Sequence, residues 1–286
     1  METEHWYNEW RHLLFSLSYQ MMGSVMDAED IVQDVFLSLE EGDGTQIRNA
    51  KSYLCKMTVN RCLNKLKSAS RQRETYVGPW LPEPYAAVSE DPMDQYIIKE
   101  SLTTAYLLLL HQLSDMERIV FLLREVFTLP FSEIATIVGK SEGNCRQIDY
   151  RARRSLAQQP ETRSEVRAVG VRHVETFIQA LATGNMNLLL DILKVDATLY
   201  TDGGGKAQAA LRPIVGSKIV ARYFEAIRPK VPQDFVCELR EVNALPGIVI
   251  KTGPFTFSVI SIQIENDLIS NVYIVMNPEK LLHFNL

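Results

Sequence analysis

Apolar residues recur at helical spacing along the first part of the chain and alternate at strand spacing along the last. In 27–39 the set Ile31, Val32, Val35, Phe36 and Leu39 lines one side of a helix, and Asp27, Asp30 and Asp34 share the opposite side. Beyond the break Gly42-Asp43-Gly44, Cys55, Val59, Cys62, Leu66 and Ala69 form an apolar stripe. Lys56, Asn60, Asn64, Lys67 and Arg71 form a polar, basic stripe beside it. Residues 74–95 contain four prolines and no helical period, which predicts a linker. It is an odd one, because Trp80, Leu81 and Tyr85 are adhesive residues where a flexible spacer would carry Gly and Ser. Residues 96–158 return to helical spacing, and 159–165 form a second polar boundary. Then come an amphipathic helix over 166–183 closed by Gly184, a short helix over 186–193, a strand, the loop 201–206 and a helix over 217–227. Strands are predicted over 235–242, 247–251, 255–265 and 268–276, with Asn266-Asp267 as a tight turn between the last two. Helices followed by a meander of strands indicate all-α domains and then an α+β domain with a curled antiparallel sheet.

The length of 286 residues suits about two domains at ~100–200 residues each. A hydrophobic fraction of 46% supplies real cores and excludes wholesale disorder. No apolar run approaches the ~18 residues of a membrane span, and METEHWYNEW is too polar for a secretory signal. The four cysteines lie far apart without a C-x-x-C pair, which argues against a zinc site or disulfide framework and for a reducing cytoplasm. No metal and no cofactor is expected.

The formal net charge of −5 conceals a pattern. Residues 1–43 hold ten acids and one base, whereas 44–73 hold eight bases and no acid. From 164 onward twelve bases balance twelve acids. Such a sign reversal points to two surfaces for two different partners.

Farther along, Phe131–Val138, the turn Gly139-Lys140-Ser141 and Glu142–Leu156 read as helix, turn and helix, with Ser141 as the cap. Cys145, Ile148, Ala152 and Leu156 face inward, while Asn144, Gln147, Arg151 and Arg154 face outward, flanked by Arg146 and Arg153. Asn and Gln can bond adenine edges and Arg can bond guanine or phosphate, so this face has the chemistry of major-groove reading.

These residues carry a resemblance. Residues 113–156 resemble region 4 of bacterial RNA polymerase sigma factors of the extracytoplasmic-function (ECF) type. DAEDIVQDVFLSL (27–39) resembles their region 2.2, and 52–71 resembles regions 2.3 and 2.4. The resemblance implies that Asp27, Asp30, Gln33 and Asp34 dock on the basic clamp helices of core RNA polymerase. It implies that Asn60, Arg61, Lys65, Lys67 and Arg71 hold melted promoter DNA, with the loop 44–50 supplying a base pocket. Ser141, Asn144, Arg146, Gln147, Arg151 and Arg154 would read the upstream element. The acid common in region 2.4 of the family is Asn64 here, so promoter preference does not transfer.

Family members normally end near position 158. WLPEP (80–84), DGGGK (202–206) and NPEKL (277–281) resemble a subgroup with a fused SnoaL-like domain, a nuclear-transport-factor-2-like cone. In that subgroup the domain replaces a separate anti-sigma factor and modulates activity from within the chain. The implied contact joins Trp80, Leu81, Pro82, Glu83 and Pro84 to Asp202, Gly203, Gly204, Gly205 and Lys206. Asn277, Pro278, Glu279, Lys280 and Leu281 would complete it. Three consecutive glycines are costly to order, so DGGGK itself implies close backbone approach or positive φ.

The expected organisation is a sigma region 2 domain (1–75), a linker (76–95), a helix-turn-helix domain (96–160) and a regulatory cone (165–286). The expected function is promoter recognition and melting with core polymerase, in the cytoplasm and without membrane association, autoregulated by the cone. The rivals are a SnoaL-like isomerase or hydrolase, or a ligand sensor, fused to a DNA-binding module, and a repressor that never touches polymerase. His173, His283 and Asp202 are the acid–base candidates of the cone, but they do not converge in the sequence, and a small ligand of the cone is left open.

Overall fold

A computed structural model describes residues 2–41, 47, 49–73, 76–85, 103–156, 167–230 and 234–284. The chain divides into two compact units, one made of Met1–Thr75 with Tyr106–Thr162 and the other of Tyr76–Ala105 with Arg163–Leu286.

The first unit is helical. Helices α1 (Glu2–Met22) and α2 (Val25–Glu41) form a hairpin through Gly23, whose φ of 67° suits the turn. The Ser24 hydroxyl accepts the Asp27 amide and starts α2. The inward stripe of α2 is buried as its spacing requires, and α3 (Ala50–Arg73) packs Cys55, Val59 and Cys62 into the same core. Burial pushes both of these thiols up to about 12. After α4 (Thr104–Gln112), α5 (Asp115–Glu125) opens with a capping box between Ser114 and Glu117. Helix α6 (Phe131–Val138) ends at Gly139 in the left-handed region, and α7 (Glu142–Leu156) begins after Ser141, whose hydroxyl accepts the Asn144 amide.

Arg118 of α5 ties this unit together. It is 2% exposed, and it donates to the carbonyls of Leu110 (2.9 Å), Met21 (2.5 Å) and Leu113 (3.3 Å). One guanidinium thus satisfies carbonyls at the ends of α1 and α4 and in the turn before α5, a favourable place for a cation. A second tie runs from the Lys51 ammonium to the Phe127 carbonyl, 3.0 Å away.

The second unit is α+β. Helices α8 (Arg167–Thr183), α9 (Met186–Ile192) and α10 (Ser217–Ile227) accompany a six-stranded sheet. Its strands are β1 (Leu193–Asp202), β2 (Ile214–Val215), β3 (Phe235–Val242), β4 (Leu245–Thr252), β5 (Phe255–Glu265) and β6 (Leu268–Val275), in the order β2-β1-β6-β5-β4-β3. Strands β3 to β6 form the expected meander, and Asn266 and Asp267 take positive φ in their turn. The sheet is not wholly antiparallel: β1 runs parallel to β6, because the meander closes beside a strand laid down before α10. Register shifts in the β4–β5 and β5–β6 pairs curl the sheet. Phe177, Leu189, Val220, Phe224, Ile260 and Val272 fill the core between helices and sheet.

Replacing Arg118 by Ala removes its bonds to the carbonyls of Met21, Leu110 and Leu113. At about 2.7 kcal/mol, the opening of the first unit that exposes Cys55 and Cys62 becomes about 100-fold more populated. Pulse alkylation of these two thiols measures it; an unchanged rate contradicts the role of Arg118.

Candidate functional site

The acidic and basic stripes of the first unit meet. Asp27 is half-buried and Asp30, Gln33 and Asp34 are exposed on α2. From α3, the Lys65 ammonium lies 2.7 Å from Asp27 and 3.2 Å from Asp30. Burial opposes the Lys65 charge, but the bonds to the two carboxylates outweigh it and hold its pKa above the ordinary lysine value. Arg61 donates to the Asp34 carbonyl at 3.1 Å and to the Ser38 hydroxyl. Asn60 and Lys67 stay exposed on the outer side of α3. The side chain of Arg71 and most of the loop 44–50 lie outside the described residues. The sequence suggested two separate surfaces; in the structure they share an edge along which Lys65 and Arg61 bond to α2.

The outer face of α7 is open to solvent. Ser141, Asn144, Arg146, Gln147, Arg151 and Arg154 are all exposed, while Cys145, Ile148 and Ala152 are buried. Arg146 lies 2.8 Å from Glu142 and its guanidinium stands over the Phe131 ring. Arg153 is different, bonded to Asp149 at 2.9 Å and to Glu125, so it ties α7 to the end of α5. Tyr150 is 66% exposed on the reading face and escaped the sequence reading, although it falls three residues after Gln147.

The second unit gathers the three short motifs around one carboxylate. Asp202, at the end of β1, is fully buried. Its Oδ1 accepts the Tyr76 hydroxyl at 2.5 Å. Its Oδ2 accepts the Leu81 amide at 2.8 Å and the Lys280 ammonium at 2.7 Å. Lys280 also donates to the Leu81 carbonyl and lies over the rings of Tyr76 (4.9 Å) and Trp80 (4.5 Å). The Asp202 carbonyl accepts the amides of Met276 (2.8 Å) and Asn277 (2.9 Å). Burial, then the neighbouring carboxylate, raises the Tyr76 hydroxyl far above its ordinary pKa, so it remains a donor.

The glycines answer to crowding. A Cβ on Gly204, at φ +57°, would come within 2.3 Å of the Asn277 amide nitrogen, and one on Gly203 within 2.3 Å of the Ala207 carbonyl oxygen. Lys206 pairs with Glu279 across the two motifs. Farther along 76–85, Pro84 accepts from His283 at 2.8 Å, and Tyr85 exchanges bonds with Asn243. Leu81, Pro82, Glu83 and Pro84 are buried, and Pro278 is exposed beside buried Leu281. Tyr76, Asn243 and His283 were missed as clasp members. Tyr76 could have been suspected as an aromatic in a linker; Asn243 carried no signal, since it acts through a turn that puts Ala244 at positive φ.

Residues 6–72 match the model of Sigma-70 region 2, and residues 103–156 match that of Sigma-70 region 4. Over 216 residues the chain is 35% identical to the ECF RNA polymerase sigma factor SigJ of Mycobacterium tuberculosis, covering 74% of this chain and 69% of that relative. The chain belongs to the ECF sigma factors. This sigma factor is also 28% identical over 276 residues to the probable ECF sigma factor SigI of the same species, covering 95% and 92% of the two chains. The crystal structure of Mycobacterium tuberculosis SigJ superposes with a TM-score of 0.76 at 28% identity, covering 96% of each chain. The second unit of this sigma factor has the helices-on-curled-sheet architecture expected of the cone.

The Asp202–Lys280 pair sits where removing one partner strands the other charge. Asp202→Ala and Lys280→Met should each destabilise the cone by about 3–5 kcal/mol, and the double variant by much less than their sum. Urea titration followed by ¹⁹F NMR of fluorotryptophan-labelled protein, in which Trp80 reports the cone, measures this. Additive losses would contradict the coupling.

Proposed function

We propose that this ECF sigma factor docks on core RNA polymerase through Asp27, Asp30, Gln33 and Asp34. Asn60, Arg61, Lys65, Lys67 and Arg71 hold the melted promoter, and Ser141, Asn144, Arg146, Gln147, Arg151 and Arg154 read the upstream element. In this reading, promoter recognition and transcription initiation follow from the family, while the residue assignments rest on exposed faces with suitable chemistry. An acidic surface speeds oriented docking on a basic partner. Lys65 becomes available to phosphate by exchanging its partly exposed ion pairs with Asp27 and Asp30, and Arg61 by exchanging its bonds to the Asp34 carbonyl and the Ser38 hydroxyl.

The observation that carries the regulatory part is the bonding of Leu81 through both its amide and its carbonyl, to Asp202 and Lys280 respectively. Residues 76–85, which follow region 2, are thereby a structural element of the cone. The cone acts in cis and takes the place of a separate anti-sigma factor. It works by binding rather than by turnover: its acid–base candidates are engaged one by one, His173 with the Asp267 carbonyl, His283 with the Pro84 carbonyl and Asp202 in the clasp. The protein works in the cytoplasm, where its DNA and polymerase are; no described helix is long and apolar enough to cross a membrane.

Run-off transcription with purified core polymerase tests this reading on full-length protein. The wild type initiates at its promoters. Gln147→Ala with Arg151→Ala lowers the yield by roughly 10-fold or more, as expected for lost base and phosphate contacts. Asp202→Ala changes the yield while leaving the helix-turn-helix intact. Failure of the wild type to initiate at any promoter of the genome would refute the sigma reading, and an unchanged yield for Asp202→Ala would refute the regulatory one.

A further inference from the structure

Between its helices and the inner face of its sheet, the cone encloses a cavity of about 460 Å³. The size is within the range of pockets that bury small organic ligands. Its walls are apolar: Leu181 from α8, Phe224 from α10, and Ile248, Ile260 and Ile274 from the sheet are typical. Among the described lining residues one side chain is charged, Arg228, in the turn that follows α10.

Arg228 is set in place. It is exposed, its Nη2 donates to the Ala182 carbonyl at 3.4 Å, and its guanidinium lies against Gly184. A Cβ on Gly184 would fall 2.0 Å from Nη1, so the glycine makes room for it. The carbonyl end of α8 attracts the cation. A guanidinium carries five donors in a planar fork, and the bond to Ala182 engages one of them. An apolar chamber with one fixed fork at its solvent side is complementary to a molecule with an apolar tail and one anionic head. A tail alone would be bound by burial, at about 0.8 kcal/mol per methylene, and the head would be paired as carboxylates pair with arginine.

We propose that the cone binds a medium-chain aliphatic carboxylate, its chain in this cavity and its carboxylate on Arg228. The cavity wall also holds Cys237, while the other three cysteines are buried in the first unit. The thiol is therefore a built-in reporter of occupancy. The site stands on the cone's geometry alone and does not depend on the clasp being regulatory.

The test uses full-length protein, dodecanoic acid below its micelle concentration, and dodecanol as the neutral counterpart. Alkylation of Cys237 by iodoacetamide is followed by peptide mass spectrometry, and affinity by calorimetry. Dodecanoic acid should slow alkylation of Cys237 by about 10-fold or more at saturation, through burial of the thiol beneath the chain. Arg228→Gln should weaken dodecanoic acid by about 10-fold and leave dodecanol unchanged, as expected for one charge-assisted pair. Ile260→Trp, which fills the cavity, should abolish protection; if that variant melts early, Ile250→Trp at a half-buried position replaces it. No protection by either compound overturns the proposal. Equal affinity for acid and alcohol, with Arg228→Gln silent, overturns the anionic head. Protection that survives the cavity-filling variant overturns the location.

Discussion

A buried carboxylate must find donors or a counter-charge, and the cone is arranged around how Asp202 finds both. One oxygen takes the Tyr76 hydroxyl, and the other takes the Leu81 amide and the Lys280 ammonium. Two of these donors come from the 76–85 segment and one from the C-terminal turn. The carboxylate therefore ties three distant pieces of sequence into one fold. Each piece has a reason to be present: the glycines give the approach that Asn277 needs, and the two aromatic rings cover the Lys280 charge. Net stabilisation from such a pair is modest, whereas breaking it is expensive. That asymmetry suits an element that is either fully engaged or released.

The helical unit uses the same logic with the sign reversed. Arg118 is a buried cation answered by three carbonyls, and it joins the region 2 hairpin to the region 4 helices. The surfaces assigned to polymerase and DNA are left outside this core. The ion pairs of Lys65 with Asp27 and Asp30 lie partly exposed at the edge of α2, where such pairs are worth little net. Core charges are thus held and surface charges are exchangeable.

Much of this was legible in the sequence, and what was missed has a common cause. Helix positions followed from periodicity at Ile31, Val35, Val59 and Cys62, and the meander from alternation at Ile260, Ile262 and Ile264. The three glycines implied a close approach or positive φ, and Gly204 shows both. The parallel β1–β6 pairing was missed because pairing partners depend on chain path, which period alone does not encode. Arg118 was missed because nothing local separates a buried arginine from a solvated one at the same helical position. Leu81 was read as an adhesive residue of the linker; it is fully buried, and its amide donates to Asp202. The net charge was least informative, since acids, bases and a balanced cone cancel within it.

Asp202 holds residues 76–85 on the cone through the Tyr76 hydroxyl and the Leu81 amide. Hydrogen exchange at the Leu81 amide, in full-length protein, addresses it directly. This amide should be strongly protected in the wild type. In Asp202→Ala its protection should fall by roughly 100-fold or more, at least as far as that of amides in the middle of β5 and β6, because release of the segment accompanies the loss of cone stability. Exchange of Leu81 at the rate of an unstructured chain in the wild type would contradict this hold.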